Sequence, residues 1–490
     1  MRRATTTRSA ERRLGVLDAL RLFAAVSVLA FHYTARQSPA WGGPAPEELA
    51  GVGRWAAYGQ MGVPLFFVIS GFVLLMSAWG KDVRGFVASR VGRLFPAYWV
   101  AVAFSIVLVL FIWPENPAFL GHEITKGGAV LNLTMFQGAF GVPDVDGPYW
   151  TLWYEARFYL LIALFMLVGI TRNRVLAFCA LWPVVGAMAA GSGSSLATAF
   201  LMPDYAPFFA GGMLLYLIYR DGHDLGSWLL VGLQVAFALQ FATRFYPEVL
   251  RIDTPWAPSV AVVAVICVAC FGLVALVTLT PVARHSAAWM TLAGALTYPV
   301  YLVHENLGWW VIHLVRDRVG PWGAVALATV VAFAAAFALH HLVEKPFGPR
   351  LRKATLRMLE RSTEPTAATP AVTPSATAVQ APSPAVAAGP VRHTRAGEAD
   401  VRPVPARPSS GDLHVSARER RPYGSHHGLD AVHGLDAVHG LDAAHGEPVH
   451  VERRRSRRGE RDTADAEPST VVFPPAMPQP RVDRTLSGTP

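Results

Sequence analysis

Runs of about 17–25 apolar residues recur through the first 345 positions of this chain, each long enough for a helix to cross a bilayer core. Ten such spans can be drawn: Leu14–Tyr33, Gln60–Trp79, Leu94–Trp113, Tyr149–Ile170, Val175–Gly191, Pro203–Tyr219, Leu225–Phe241, Ser259–Leu279, Met290–Val315 and Pro321–Val343. The fifth to seventh are short and broken by Gly, Ser and Pro. Lipid offers backbone groups no partner, and the runs lack the alternation of barrel strands, so helices are the natural solution. Of the 490 residues, 52% are hydrophobic and 16% charged, well below the roughly one-quarter charged of soluble domains. The expected fold is all-α, a polytopic transmembrane bundle of about ten helices over residues 14–347. A basic segment (1–13) precedes it and a mostly disordered tail (348–490) follows.

Lys and Arg set the orientation. With the N-terminus inside, the inner segments carry Arg2, Arg3, Arg8, Arg12 and Arg13, then Lys81, Arg84, Arg90 and Arg93, then Arg172, Arg174, Arg220 and Arg284. Lys345, Arg350, Arg352 and Lys353 follow the last span, whereas the outer segments hold fewer basic residues. The positive-inside rule places both ends in the cytoplasm of a multi-pass cell-membrane protein. The first apolar stretch is longer than the usual h-region of about 7–15 residues, so a signal anchor is expected rather than a cleaved signal peptide.

From about Thr363 the chain turns to Pro, Ala, Thr and Ser, a composition that cannot offset ordering entropy. A GLDAVH-type repeat at 428–445 spaces His433, His439 and His445 evenly. It reads as low-complexity sequence rather than a metal site, since no fixed ligand geometry is implied. Nothing resembles a second folded domain. Cys179, Cys267 and Cys270 fall inside spans as small apolar residues, and no structural disulfide is expected.

The costly residues are those inside the spans. "LDALRLFAAVSVLAFH" places Arg21 and His32 eleven residues apart, three helical turns, on one helix face and about 16 Å apart along the axis. Asp18, one turn below Arg21, is in reach of it. Either residue alone has a bland reading as a snorkelling side chain; the pair on one face points to a polar path through the bundle. Glu155 in the fourth span and His304 in the ninth can reach the depth of His32, with Tyr298 and Tyr301 nearby. A carboxylate beside an imidazole is a general-base arrangement. Pairing of Glu155 with Arg157 is awkward at a spacing of two. Arg90 and Arg93, one helical turn apart in an inner loop, can grip phosphate or merely act as topogenic charge.

In six blocks taken in order, the sequence resembles the acyltransferase-3 family of integral-membrane acyltransferases. The blocks are "LDALRLFAAVSVLAFH", "GVPLFFVISGFVL" with Ser70-Gly71, "RVGRLFPAYW" with Arg90 and Arg93, "YWTLWYEARFYLL" with Trp150 and Glu155, "YPVYLVH" with Tyr298, Tyr301 and His304, and "VEKPF" with Glu344 and Pro346. Ala19, Thr151 and Thr297 stand where relatives often have glycine or serine. The resemblance implies an acyl-CoA donor, commonly acetyl-CoA, used as a co-substrate with no cofactor or metal. It implies His32 as the catalytic residue, with Arg21 and Arg90/Arg93 serving the donor. The acceptor is expected to be a hydroxyl on a glycan, other carbohydrate or secondary metabolite; no nucleic-acid partner is expected. Some relatives add an extracytoplasmic hydrolase-like domain, so transfer here is expected to be direct or to use a partner. A polytopic transporter or flippase using the same buried charges is the alternative.

Overall fold

A computed structural model describes residues 14–114 and 124–361. The N-terminal basic segment, the Pro/Ala-rich tail and the His433–His439–His445 repeat lie outside the described residues. Among those described, nine helices are long and apolar enough to cross a membrane: α1 (Gly15–Ala35), α2 (Glu47–Ala78), α3 (Val83–Ile112), α4 (Gly147–Val168), α5 (Arg172–Gly191), α6 (Ser195–Asp221), α7 (Leu225–Asp253), α8 (Val260–Leu279), and a last stretch, Ala288–Arg361. That last stretch breaks at Gly320, whose φ of +71° no helix accommodates. The break gives α9 (288–319) and α10 (321–344), with α11 (Lys345–Arg361) running on from the end of α10. The protein is an all-α, multi-pass membrane bundle, and every expected span corresponds to one of these helices.

Local chemistry sets the boundaries. Asp82, Thr171, Asp224 and Ser259 cap the starts of α3, α5, α7 and α8, each accepting a backbone N–H of the first turn. Gly169 and Gly222, both at φ +93°, end α4 and α6. Two boundaries depart from the sequence expectation. The Asp82 cap starts α3 well before the apolar run, so Arg90 and Arg93 lie on helix rather than in a loop. Beyond residue 347 the chain remains helical through Arg361.

Packing follows the small residues, as it does where lipid removes the hydrophobic incentive for helices to associate. α2 and α6 approach backbone to backbone at Gly71 and Gly212: a Cβ on either would strike a carbonyl of the other helix. α1 packs on α9, where a Cβ on Gly294 would collide with Asp18 and one on Gly308 with the Tyr33 hydroxyl. α11 packs against the start of α3. Cys179, Cys267 and Cys270 are buried free thiols within the main apolar core. We call the side of the bundle where α1 begins the near face and the opposite side the far face.

Candidate active site

Three cavities within the bundle are lined by charged and polar residues. The largest, about 600 Å³, opens among α1, α2, α3, α4 and α11 near the start of α1. Arg21, Arg90, Arg93, Lys345 and Arg352 line it together with Glu155 and Glu344. Asp18 lies 3.9 Å from Arg21. Glu155 accepts the Tyr159 hydroxyl, and Glu344 contacts the His340 ring at 2.7 Å. The Nε of Arg90 is buried with no hydrogen-bond partner.

A second cavity, about 60 Å³, continues from the first and shares Arg21, Ser70, Glu155 and Tyr298 with it. The third, about 230 Å³, lies toward the far face and shares Val63 and Tyr301 with the second. Thr151 Oγ1 and Tyr301 Oη, 2.8 Å apart, mark the junction. Gly71 explains why Ser70 reaches this path: the glycine seats α2 on α6, and the neighbouring serine turns toward α1 and α4.

His32 stands in the far cavity. It belongs to a π-helical turn, Phe31–Ala35, in which the Arg36 N–H donates to Phe31 O at 2.9 Å; such turns are over-represented at functional sites. The Trp309 indole donates to His32 O at 3.0 Å, and the Tyr33 hydroxyl donates to His304 O at 2.6 Å, so α9 ties down two adjacent residues of the turn. The His32 ring is 5.1 Å from that of His304 and 5.9 Å from Trp309, both edge-on. Its Nδ1 faces Glu305 Oε2 at 3.4 Å. That is longer than a closed hydrogen bond, and a small shift would close it. Arg36 donates to the other Glu305 oxygen at 3.0 Å, lies 3.8 Å from Asp253, and sits over the Trp309 ring.

Glu305, rather than Glu155, is therefore the carboxylate beside His32. The residue expected to orient the imidazole lines the Arg21 cavity, because α4 enters through a short turn, Gly147–Tyr149, that leaves only its first residues at the far cavity. Trp150 lines the far cavity, while Glu155, more than a turn deeper, falls beside Arg21. Arg157 takes no part: it donates to the Ala199 carbonyl and lies over Tyr154. Tyr298 lines the near and connecting cavities and donates to Leu94 O at 3.2 Å. His304 is buried, its Nδ1 2.9 Å from Tyr301 O and its Nε2 without a partner. The sequence held two signals for the missed group. Glu305 is a carboxylate within an apolar span, adjacent to His304, and Arg36 follows His32 by one turn.

A second acidic feature borders the far cavity outside the spans. Burial pushes the Asp144 carboxyl up to about 7, against the stabilising donation of the Gln137 amide. Burial, and then the charge of Glu305, holds Asp146 well above the ordinary carboxylate range, although Ser105 donates to it at 3.0 Å.

The model of the acyltransferase-3 family, described as an acyltransferase domain, matches residues 14–341. The chain belongs to this family. Membership of an acyltransferase family supports an enzyme that transfers acyl groups other than aminoacyl groups over the transporter alternative. It is similar to acyltransferase MdmB of Streptomyces mycarofaciens, 27% identical over 368 residues that cover 68% of this chain and 91% of that protein. It is also similar to the peptidoglycan O-acetyltransferase OatA of Listeria monocytogenes, 26% identical over 177 residues, 33% of this chain and 26% of that protein. The exopolysaccharide production protein ExoZ of Rhizobium meliloti is 31% identical over 114 residues, 23% of this chain and 35% of that protein. The chain thus spans about a quarter of the length of OatA. No solved structure matches. The acyltransferase match takes in the connecting and far cavities whole, but of the near cavity it leaves out Glu344 and the residues that α11 contributes.

Proposed function

We propose that this acyltransferase takes an acyl group, commonly acetyl, from a cytoplasmic acyl-CoA and passes it to a hydroxyl of a carbohydrate, glycan or secondary-metabolite acceptor on the opposite side. The observation that carries this reading is the succession of three cavities sharing residues pairwise, from a cationic chamber to His32. Phosphates of the donor dock on Arg90 and Arg93, whose guanidinium groups suit phosphate geometry. The thioester arm follows the Arg21 face of α1 through the small cavity toward Tyr301. Near and far faces then correspond to cytoplasm and exterior, in keeping with the distribution of Lys and Arg.

At the far cavity the His32 Nδ1–H points its hydrogen bond at Glu305 and keeps its proton, which fixes the tautomer and leaves Nε2 free to take the proton of an acceptor hydroxyl. The alkoxide oxygen attacks the thioester carbonyl. A C–O bond forms, the C–S bond breaks, and the CoA thiolate accepts the proton from the imidazolium. A covalent acyl-histidine is the two-step variant: His32 Nε2 attacks the thioester and the acceptor hydroxyl then displaces the histidine. The similarity to a peptidoglycan O-acetyltransferase and to an exopolysaccharide production protein supports carbohydrate acceptors. Trp150 and Trp309 beside Asp253 and Asn306 give the far cavity an aromatic and hydrogen-bonding lining suited to a polyhydroxylated ring.

The test is sidedness. In sealed vesicles of defined orientation, acyl-labelled CoA supplied to the face bearing Arg90 should label acceptor on the opposite face. Labelling only when donor is supplied to the His32 face would refute the reading.

A further inference from the structure

Five cations line the near cavity, and two of them come from an element outside the family match. α11 presents Lys345, Gly348, Pro349 and Arg352 to the cavity. That spacing of i, i+3, i+4 and i+7 is one helix face. The contact with α3 is glycine on glycine. A Cβ on Gly92 would lie 2.7 Å from both Gly348 O and Arg352 Cβ, and one on Gly348 would lie 2.9 Å from Gly92 O. Gly92 falls between Arg90 and Arg93, so the same crossing that lets α11 sit flush brings Arg352 beside the arginine pair. Of the other basic residues of α11, none lines the cavity, and Arg357 and Arg361 project about 120–160° from Lys345 around the helix and are exposed. Against the five cations stand Glu155, Glu344, the latter engaged by His340, and Asp18 at 3.9 Å from Arg21. The chamber therefore carries a surplus of positive charge, with the unpartnered Arg90 Nε buried in its wall.

We propose that α11 is part of the donor site, with Lys345 and Arg352 holding the ribose phosphate of the acyl-CoA. This rests on the donor reading above and extends it. The donor is a linear molecule. If its thioester points inward along Arg21, its diphosphate falls at Arg90 and Arg93, and the ribose monophosphate falls further out. Lys345 and Arg352, both exposed and lining the same cavity beside the arginine pair, are assigned that monophosphate. Recognition by a phosphate carried only on the nucleotide end selects CoA thioesters over shorter phosphopantetheine thioesters. An anionic lipid headgroup offers the same phosphate chemistry, so the experiment separates the two.

The experiment measures calorimetric binding of free CoA and of 3′-dephospho-CoA to the full-length protein in zwitterionic and in anionic nanodiscs. Wild type should prefer CoA by about tenfold or more, the worth of a charge-assisted phosphate contact. Lys345→Gln/Arg352→Gln should bind CoA about as weakly as dephospho-CoA in both lipids. Lys345→Arg/Arg352→Lys should keep the preference and so exclude a folding defect, and Arg357→Gln/Arg361→Gln, equal in charge removed, should keep it too. An undiminished preference in the Gln pair removes α11 from the donor site and leaves the donor reading standing. A loss confined to anionic nanodiscs assigns the two cations to lipid and overturns the proposal. Wild type that binds neither ligand defeats the donor reading itself, and this inference with it.

Discussion

Replacing Glu305 by Gln tests the chemistry at His32 with the least structural disturbance. Glu305 is almost fully buried: one oxygen accepts from Arg36 at 3.0 Å and the other, with no closed hydrogen bond, faces His32 Nδ1 at 3.4 Å. Alanine would leave Arg36 a partly buried cation with only Asp253 at 3.8 Å, and unpairing a buried charge costs about 3–5 kcal/mol, enough to confuse unfolding with loss of function. Gln keeps the shape and an acceptor oxygen for Arg36 and removes only the charge. A carboxylate 3.4 Å from an imidazolium is worth about 5 kcal/mol at an effective dielectric of about 20. Loss of half or more of that slows proton transfer by about 10²–10³-fold at about 1.4 kcal/mol per decade. The assay is acyl transfer from labelled donor in membranes, normalised to protein abundance, with apparent donor affinity measured alongside. The expected result is a fall in turnover of that size with donor affinity changed less than about threefold. Turnover within threefold of wild type at normal abundance would show that Glu305 does not orient the base.

Further outcomes follow from the same geometry. Glu155→Gln should change apparent donor affinity more than turnover, because Glu155 lines the Arg21 cavity rather than the His32 cavity; a turnover defect with unchanged donor affinity would return it to the base. Gly308→Ala should destabilise the protein by about 1–3 kcal/mol, the usual cost of overpacking, since its Cβ has no room beside Tyr33; an unchanged melting temperature in detergent would show that α1 can yield there. The Asp144 carboxyl is held up to about 7 by burial, above its unfolded value near 3.9. Its contribution to stability is therefore fully present at pH below about 4 and is lost as pH rises through 7. Asp144→Asn should flatten that decline, so its thermal stability relative to wild type rises between pH 5 and 8; parallel curves would contradict the assignment.

The division into helices was legible because each apolar run is a membrane thickness long, and even the break between α9 and α10 is written as Gly320-Pro321. The polar faces were legible in part. The eleven-residue spacing of Arg21 and His32 places both on a path of cavities running along α1. Spacing along one helix, however, says nothing of how its neighbours are rotated. Glu155 and His32 can share a depth on paper, but the turn at Gly147–Tyr149 sets α4 so that Glu155 meets Arg21. Glu305 escaped notice beside His304, although a carboxylate in an apolar span carries its own signal. Where α3 begins depends on a capping aspartate outside the apolar run, and α11 is too polar to register as part of a membrane domain.

The central claim is that His32 carries the acyl transfer, and His32→Gln tests it most directly. Gln can retain a hydrogen bond toward Glu305 but cannot take up a proton near neutral pH or form an acyl-histidine. Transfer from labelled acyl-CoA should be abolished at normal membrane abundance, with CoA still bound at the near cavity. Substantial transfer by His32→Gln would contradict both the base and the acyl-carrier roles.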